Sequence, residues 1–238
     1  MAISRITFGE WTPDQPGITN GLQRAENVFS KAVGYGAINA AEEYSGAASE
    51  NLTNVVAGKT AAGATVVFAG GATKLFKLDT GDLSLDSVVK ASRTITNVAK
   101  TSQVVTITTS VAHGFSVGDS VTVAATSTTA VNGTFNVETI TSTTFTYNQA
   151  GGNIGSTADT GTVSFQYSTP INQRWRFTQF GNVLIAANGG NRLQGYNLNS
   201  SSTFQDLATD APQSRYVTVV RDFVVSGYVN SSTVYPYR

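Results

Sequence analysis

The sequence predicts an all-β chain: propeller-like repeated antiparallel sheets, interrupted by an inserted small β-barrel or sandwich and preceded by an extended N-terminal arm. A hairpin unit is written twice. Val66-Val67-Phe68-Ala69-Gly70-Gly71-Ala72-Thr73-Lys74-Leu75-Phe76-Lys77-Leu78 runs from an apolar strand through a glycine turn into a second strand, and the segment from Val183 to Leu198 repeats that order. A third copy starts later, where the run from Arg176 to Ile185 lines up with Arg215 to Val225 at an offset of 39 residues that slips by one at the turn. A period of about 40 residues carrying several short strands is that of a propeller blade. Composition agrees: only 13% of residues are charged while Gly, Thr, Ser and Asn dominate, which favours turn-rich β structure over helices.

Residues 1–58 read as the arm. Trp11-Thr12-Pro13-Asp14-Gln15-Pro16-Gly17 holds two of the five prolines beside an aromatic ring, so its backbone is expected to be extended and poor in ladder donors. Leu22, Ala25, Val28, Phe29 and Ala32 fit a helical face, but Asn27-Val28-Phe29 fits an edge strand. The strand is preferred. Gly34-Tyr35-Gly36 reads as a turn with a large ring.

Residues 59–92 and 167–238 read as one discontinuous propeller-like domain, with Thr65 to Phe68 and Lys74 to Leu78 as the clearest strands of its first unit. Residues 93–166 read as the insertion. Between Thr101 and Ala158 the only formal charges are Asp119 and Glu138. Apolar and polar residues alternate from Val104 to Thr108, Ser120 to Val123, Thr134 to Val137 and Thr144 to Tyr147, with turns at Gly118-Asp119 and Asn132-Gly133, and Thr162 to Gln166 closes the module.

Composition also narrows the function. Net charge is zero, so the chain has no bulk field with which to seize nucleic acid or an anionic membrane. There are no cysteines, which fits assembly in a reducing cytoplasm, and no apolar run reaches spanning length. No cofactor or metal is predicted. His113 has no second imidazole and no carboxylate nearer in sequence than Asp119, so it reads as structural. Gly58-Lys59-Thr60 ends like a phosphate loop, but Thr53 stands where the first glycine belongs, and Asn39 breaks a dinucleotide fingerprint at Gly34-Tyr35-Gly36. Asp79, Asp82 and Asp86 lack calcium-loop spacing and read as turn chemistry. Glu42 and Glu43 are adjacent and read as surface charge. On a strand, Arg174 and Arg176 share the face opposite Trp175. They fit either DNA phosphates or acidic groups across a subunit seam.

The opening Trp11 to Gly17, Ala25-Glu26-Asn27-Val28 with Gly34-Tyr35-Gly36, and Arg174-Trp175-Arg176-Phe177 followed by Phe180-Gly181-Asn182 and Ala186-Ala187-Asn188 together resemble tail proteins of short-tailed bacteriophages, of the nozzle or tail-hub type. Ala112-His113-Gly114-Phe115, Val117-Gly118-Asp119, Asn132-Gly133-Thr134-Phe135 and Thr143-Thr144-Phe145-Thr146-Tyr147 look like a small β module scattered through phage tail proteins. The resemblance implies no catalysis. It implies a ring of commonly six copies in the virion tail, assembled in the host cytoplasm, touching a portal-side adaptor and tail fibre proteins, with passing, non-specific contact to genomic DNA in its lumen and no membrane binding. Trp11, Pro13, Pro16 and Tyr35 are the expected arm interface, and Arg174 and Arg176 the expected seam. The rival expectations are a receptor- or glycan-binding fibre or adaptor component, another ring of the head-tail junction, and an enzyme, for which no carboxylate pair is visible. A closed propeller needs at least about four blades. With two units and the start of a third, the chain is expected to belong to a longer protein.

Overall fold

The computed structural model describes residues 43–229 and, as backbone, 28–30 and 35–37. Within unit 1–44, β1 (Val28–Ser30) and β2 (Tyr35–Ala37) form an antiparallel pair with Ser30 opposite Tyr35. The strand at Val28 is as expected. Tyr35, expected in a turn, lies in β2 instead: Gly36 is extended and pairs with Phe29. Trp11, Pro13 and Pro16 lie outside the described residues.

The remaining unit, 45–238, is all-β, and its described residues hold no α-helix, only a 3-10 turn at Thr129–Val131. Sheet 1 is a four-stranded antiparallel meander of β3 (Asn54–Lys59), β4 (Thr65–Gly70), β5 (Leu75–Leu78) and β6 (Leu85–Ser87). The arm boundary read at residue 58 falls inside β3. Gly58-Lys59-Thr60, which ends like a phosphate loop in the sequence, is ladder as far as Lys59, since Gly58 pairs with Val66 and Lys59 with Thr65.

After the insertion, sheet 2 repeats the meander with β15 (Arg176–Phe180), β16 (Val183–Ala187), β17 (Gln194–Asn197) and β18 (Gln205–Asp206), and sheet 3 begins with β19 (Ser214–Val220) and β20 (Phe223–Val229). The hairpins of sheets 2 and 3 are related more simply than the sequence offset implies. Phe180 closes on Val183 and Val220 on Phe223, so 220 follows 180 and 223 follows 183 by the same 40 residues, with no slip. Both two-residue turns start left-handed, Gly181 at φ 55° and Arg221 at φ 52°.

The three sheets stack face on face. One face of sheet 2 carries Leu184, Ala186 and Tyr196 onto Phe68 and Leu75 of sheet 1, with the Phe68 and Tyr196 rings 4.9 Å apart. Its other face carries Ile185 and Ala187 onto Val217 and Val224 of sheet 3. This is the two-sided burial expected of a strand alternating across a pleat. First strands adjoin: Asn54 Nδ2 donates to the Trp175 carbonyl at 2.7 Å, and Gln179 both accepts from the Lys59 amide (2.9 Å) and donates to its carbonyl (2.7 Å).

The insertion occupies the link between the last strand of sheet 1 and the first of sheet 2. β7 (Arg93–Thr101) is its spine. One side continues through β14 (Thr162–Gln166), β9 (Ser120–Ala124) and β10 (Gly133–Asn136), the other through β8 (Val104–Thr109), β12 (Thr144–Asn148) and β11 (Thr139–Ile140), while β13 (Ile154–Ala158) pairs with the C-terminal half of β7. A register shift between Ile95 and Asn97 bends β7. The sheet therefore curls until Phe135 of β10 stacks on Tyr147 of β12 at 4.1 Å. Its core (Ile95, Val98, Val121, Phe145, Phe165) runs through Val88 and Tyr167 into sheets 1 and 2 as one apolar cluster.

Candidate functional site

The two stems of the insertion converge on the described part of the molecule richest in buried charge. Going out, the Val88 amide donates to the Leu75 carbonyl of sheet 1 and the Phe204 amide of sheet 2 donates to the Val88 carbonyl. Coming back, the amides of Tyr167 and Thr169 donate to the carbonyls of Thr73 and Ala72, at the β4–β5 turn. Lys90, between these anchors, is 4% exposed. Its Nζ lies 2.8 Å from Asp119 Oδ2 in the module and 3.7 Å from Asp206 Oδ1 in β18, and 4.8 Å over the Phe165 ring.

Both carboxylates have further donors. Asp119 Oδ2 also accepts from the Ser116 amide, while Asp206 accepts from Gln194 Nε2 (2.7 Å) and Ser116 Oγ (2.8 Å) and has Arg192 at 3.5 Å. The buried Tyr167 hydroxyl donates to Gln194 Oε1 at 3.1 Å. Burial pushes the Asp119 carboxyl above its ordinary range despite Lys90. Burial acts on Asp206 in the same sense, but Lys90, Gln194, Ser116 and Arg192 outweigh it and hold that carboxyl low. Tyr167 is raised well above the usual phenol, by burial first and by Asp206 and Asp119 second. One lysine thus ties a module carboxylate to a sheet 2 carboxylate where a buried charge must be paired.

An aromatic chain runs alongside: Phe165 meets Tyr167 at 4.7 Å and Tyr167 meets Trp175 at 4.9 Å, both edge-on. Trp175 is fully buried and its Nε1 donates to the Gly71 carbonyl at 2.9 Å. A Cβ at Gly70 would stand 2.3 Å from Trp175 Cδ1, so glycine is required there.

Arg174 is exposed, and Arg176 lies on the opposite side of the strand from the Trp175 and Phe177 cluster. Beside Arg176 is Tyr216 of sheet 3, 5.6 Å from the guanidinium carbon to the ring centre. Arg215 follows, between Tyr216 (5.8 Å) and Tyr228 (5.2 Å), its Nε donating to Gln173. The other motifs serve local structure. His113 Nδ1 accepts from the Phe115 amide (2.9 Å), which assigns the proton to Nε2, 3.1 Å from the Thr144 carbonyl. Asp79 Oδ1 accepts from the Gly81 amide, Asp82 Oδ1 from the Ser84 amide, and Asp86 Oδ1 from the Ser84 hydroxyl. Asp159, 6% exposed, accepts from the amides of Ser127, Thr160 and Gly161 and from Ser127 Oγ, joining two module loops.

Sequence reasoning missed the Lys90–Asp119–Asp206 group. Its signal was Asp119 itself, one of only two formal charges between residues 101 and 158.

Fold and site define a class: an all-β protein of stacked antiparallel sheets with a curled β module bonded into the link between two of them. No protein family and no curated protein matches the sequence. Among solved structures, the chain is similar to Phage phi92 endosialidase at 15% identity and a TM-score of 0.26, over 71% of this chain and 32% of that one. The chain therefore spans about a third of that structure's length.

Proposed function

We propose that this chain is a structural component of a bacteriophage tail, of the nozzle or hub type, built to hold neighbours and to let DNA pass rather than to catalyse. The observation that carries the reading is the stack of sheets on a 40-residue period with its β module tied in by Lys90. Such a body presents sheet faces and edges to neighbours. The tail-protein resemblance of Trp11 to Gly17, of Arg174 to Asn188 and of the module from Ala112 to Tyr147 supplies the setting. In this reading copies form a ring, commonly of six, in the virion tail, against a portal-side adaptor and fibre proteins.

A glycan-binding role for the module has less support, because Tyr147, its one tyrosine, is buried with its hydroxyl on the Val131 carbonyl. The test is electron microscopy of the chain assembled with its virion neighbours. A ring in the tail is expected. A chain that stays outside every tail particle, or that cleaves host envelope polysaccharide, refutes the reading.

A further inference from the structure

The Lys90 group sets three side chains in an order that does more than pair charges. Lys90 Nζ meets Asp119 Oδ2 at 2.8 Å, and the two side chains are 4% and 9% exposed. No other ion pair among the described residues brings an amine and a carboxylate together so closely and so deep. Lys100, the other buried lysine of the described residues, donates to the Ala150 carbonyl instead.

The surroundings suit condensation of an amine with a carboxyl group. In water both groups are ionised and solvated, and they do not join. Here the Phe165 ring lies 4.8 Å from Nζ, and Val88, Phe165 and Tyr167 belong to the apolar core. Keeping two charges out of water is costly, and a neutral amide is free of that cost. Contact between the reactants replaces a bimolecular encounter with an effective concentration on the order of 10⁵–10⁸ M. The Ser116 amide donates to the same Oδ2 at 2.8 Å, so a fixed dipole points at the oxygen on which negative charge would grow. Asp206 Oδ1 stands 3.7 Å from Nζ, and Gln194 Nε2 and Ser116 Oγ orient its carboxylate. Burial favours the protonated form of Asp119, the form with a leaving group, while its neighbours keep Asp206 ionised as a proton acceptor.

We propose that Lys90 and Asp119 condense to an intramolecular amide, Nζ to Cγ, with Asp206 as proton carrier, so that the outgoing stem is covalently joined to the module. One Nζ proton first passes to the Asp119 carboxyl within the pair. The nitrogen lone pair then attacks Cγ, and the negative charge settles on Oδ2 under the Ser116 amide. Asp206 takes a second proton from the nitrogen and returns it to Oδ1. The Cγ–Oδ1 bond breaks, and Oδ1 leaves as water with both protons. Nζ keeps the third proton, Oδ2 becomes the amide oxygen, and Asp206 ends as it began, so nothing is oxidised or reduced. The bond fixes two points 29 residues apart in the chain. The ion pair is the chain before this step, and its titration and unfolding behaviour belong to that state. The proposal does not rest on the tail reading.

The experiment is intact-mass and tryptic-peptide mass spectrometry of the full 238-residue chain, kept folded at neutral pH and sampled over days, with Lys90→Arg and Asp206→Asn beside the wild type. The wild type is expected to become one water lighter. Trypsin then fails to cut after Lys90, and residues 78–93 stay joined to residues 101–174. Lys90→Arg keeps the positive charge and is expected to stay at full mass, and Asp206→Asn to slow the loss at least about tenfold. Should either variant fail to fold, the peptide map of the wild type decides alone. A folded wild type that keeps its full mass, a water lost without the joined peptides, an equal loss in Lys90→Arg, or a folded Asp206→Asn that reacts as fast as the wild type overturns the proposal.

Discussion

Replacing Lys90 by Met keeps the length of the side chain and removes its charge. It leaves Asp119, 7% exposed, and Asp206, whose side chain is 12% exposed, facing the same volume with no cation within 3 Å. Removing one partner of a buried ion pair typically costs about 3–5 kcal/mol, because the other charge stays uncompensated. Arg192, at 3.5 Å from Asp206 and 29% exposed, compensates only that carboxylate. Against a whole-domain stability of about 5–15 kcal/mol the loss is large. For a domain of this size it lowers the melting temperature by roughly 6–20 °C.

The pH dependence gives an independent check. Asp119 is raised in the folded protein, so the folded state binds more proton than the unfolded one just above the ordinary carboxylate range, and its contribution to stability falls as pH rises through that window. Asp206 is lowered, so its contribution is present above the ordinary range and is lost as pH falls through its folded value. Without Lys90 both carboxyls shift upward. Urea unfolding of Lys90→Met against the wild type is therefore expected to show the full deficit at pH 7 and a smaller one near pH 4, and Asp119→Asn added to Lys90→Met is expected to restore part of it. A deficit below about 1 kcal/mol, or one that does not change with pH, refutes the assignment of this group as the tie between module and sheets.

Asp159→Asn halves the acceptor capacity where two module loops join and is expected to cost about 1–2 kcal/mol, read by thermal unfolding. Burial alone would push that carboxyl up, but hydrogen bonds from Gly161, Ser127 and Thr128 hold it low, so the wild-type contribution fades as pH falls below the ordinary carboxylate range. Gly70→Ala drives a methyl into the Trp175 indole and is expected to cost about 1–3 kcal/mol, with a change in tryptophan emission. Tyr147→Phe removes the 2.6 Å bond to the Val131 carbonyl inside the module and is expected to cost about 1–2 kcal/mol by urea titration.

Strands buried on one face were legible. Val105, Ile107, Val121, Val123, Phe145, Tyr147, Val163 and Phe165 alternate with threonine and serine, and each buries to 3% exposure or less, so period two carried β8, β9, β12 and β14. β13 was not legible: Ile154-Gly155-Ser156-Thr157-Ala158 is an edge strand with only Ile154 partly buried, so no alternation was required of it. The two-residue strands β11 and β18 are too short to hold a pattern. Lys90 and Asp119 are 29 residues apart, and Ser116 and Asp206 are 90 apart. A sparse charged composition hides such a group from local motifs, because its members meet only when the outgoing stem, the module and sheet 2 are assembled.

The position of the curled module has a consequence for how such chains diversify. It enters after the outer strand of one meander and leaves before the first strand of the next, so no ladder bond of either sheet is interrupted. A different module seated in this link would have to bring both a carboxylate to the lysine waiting in the outgoing stem and apolar side chains to the shared core around Val88 and Tyr167.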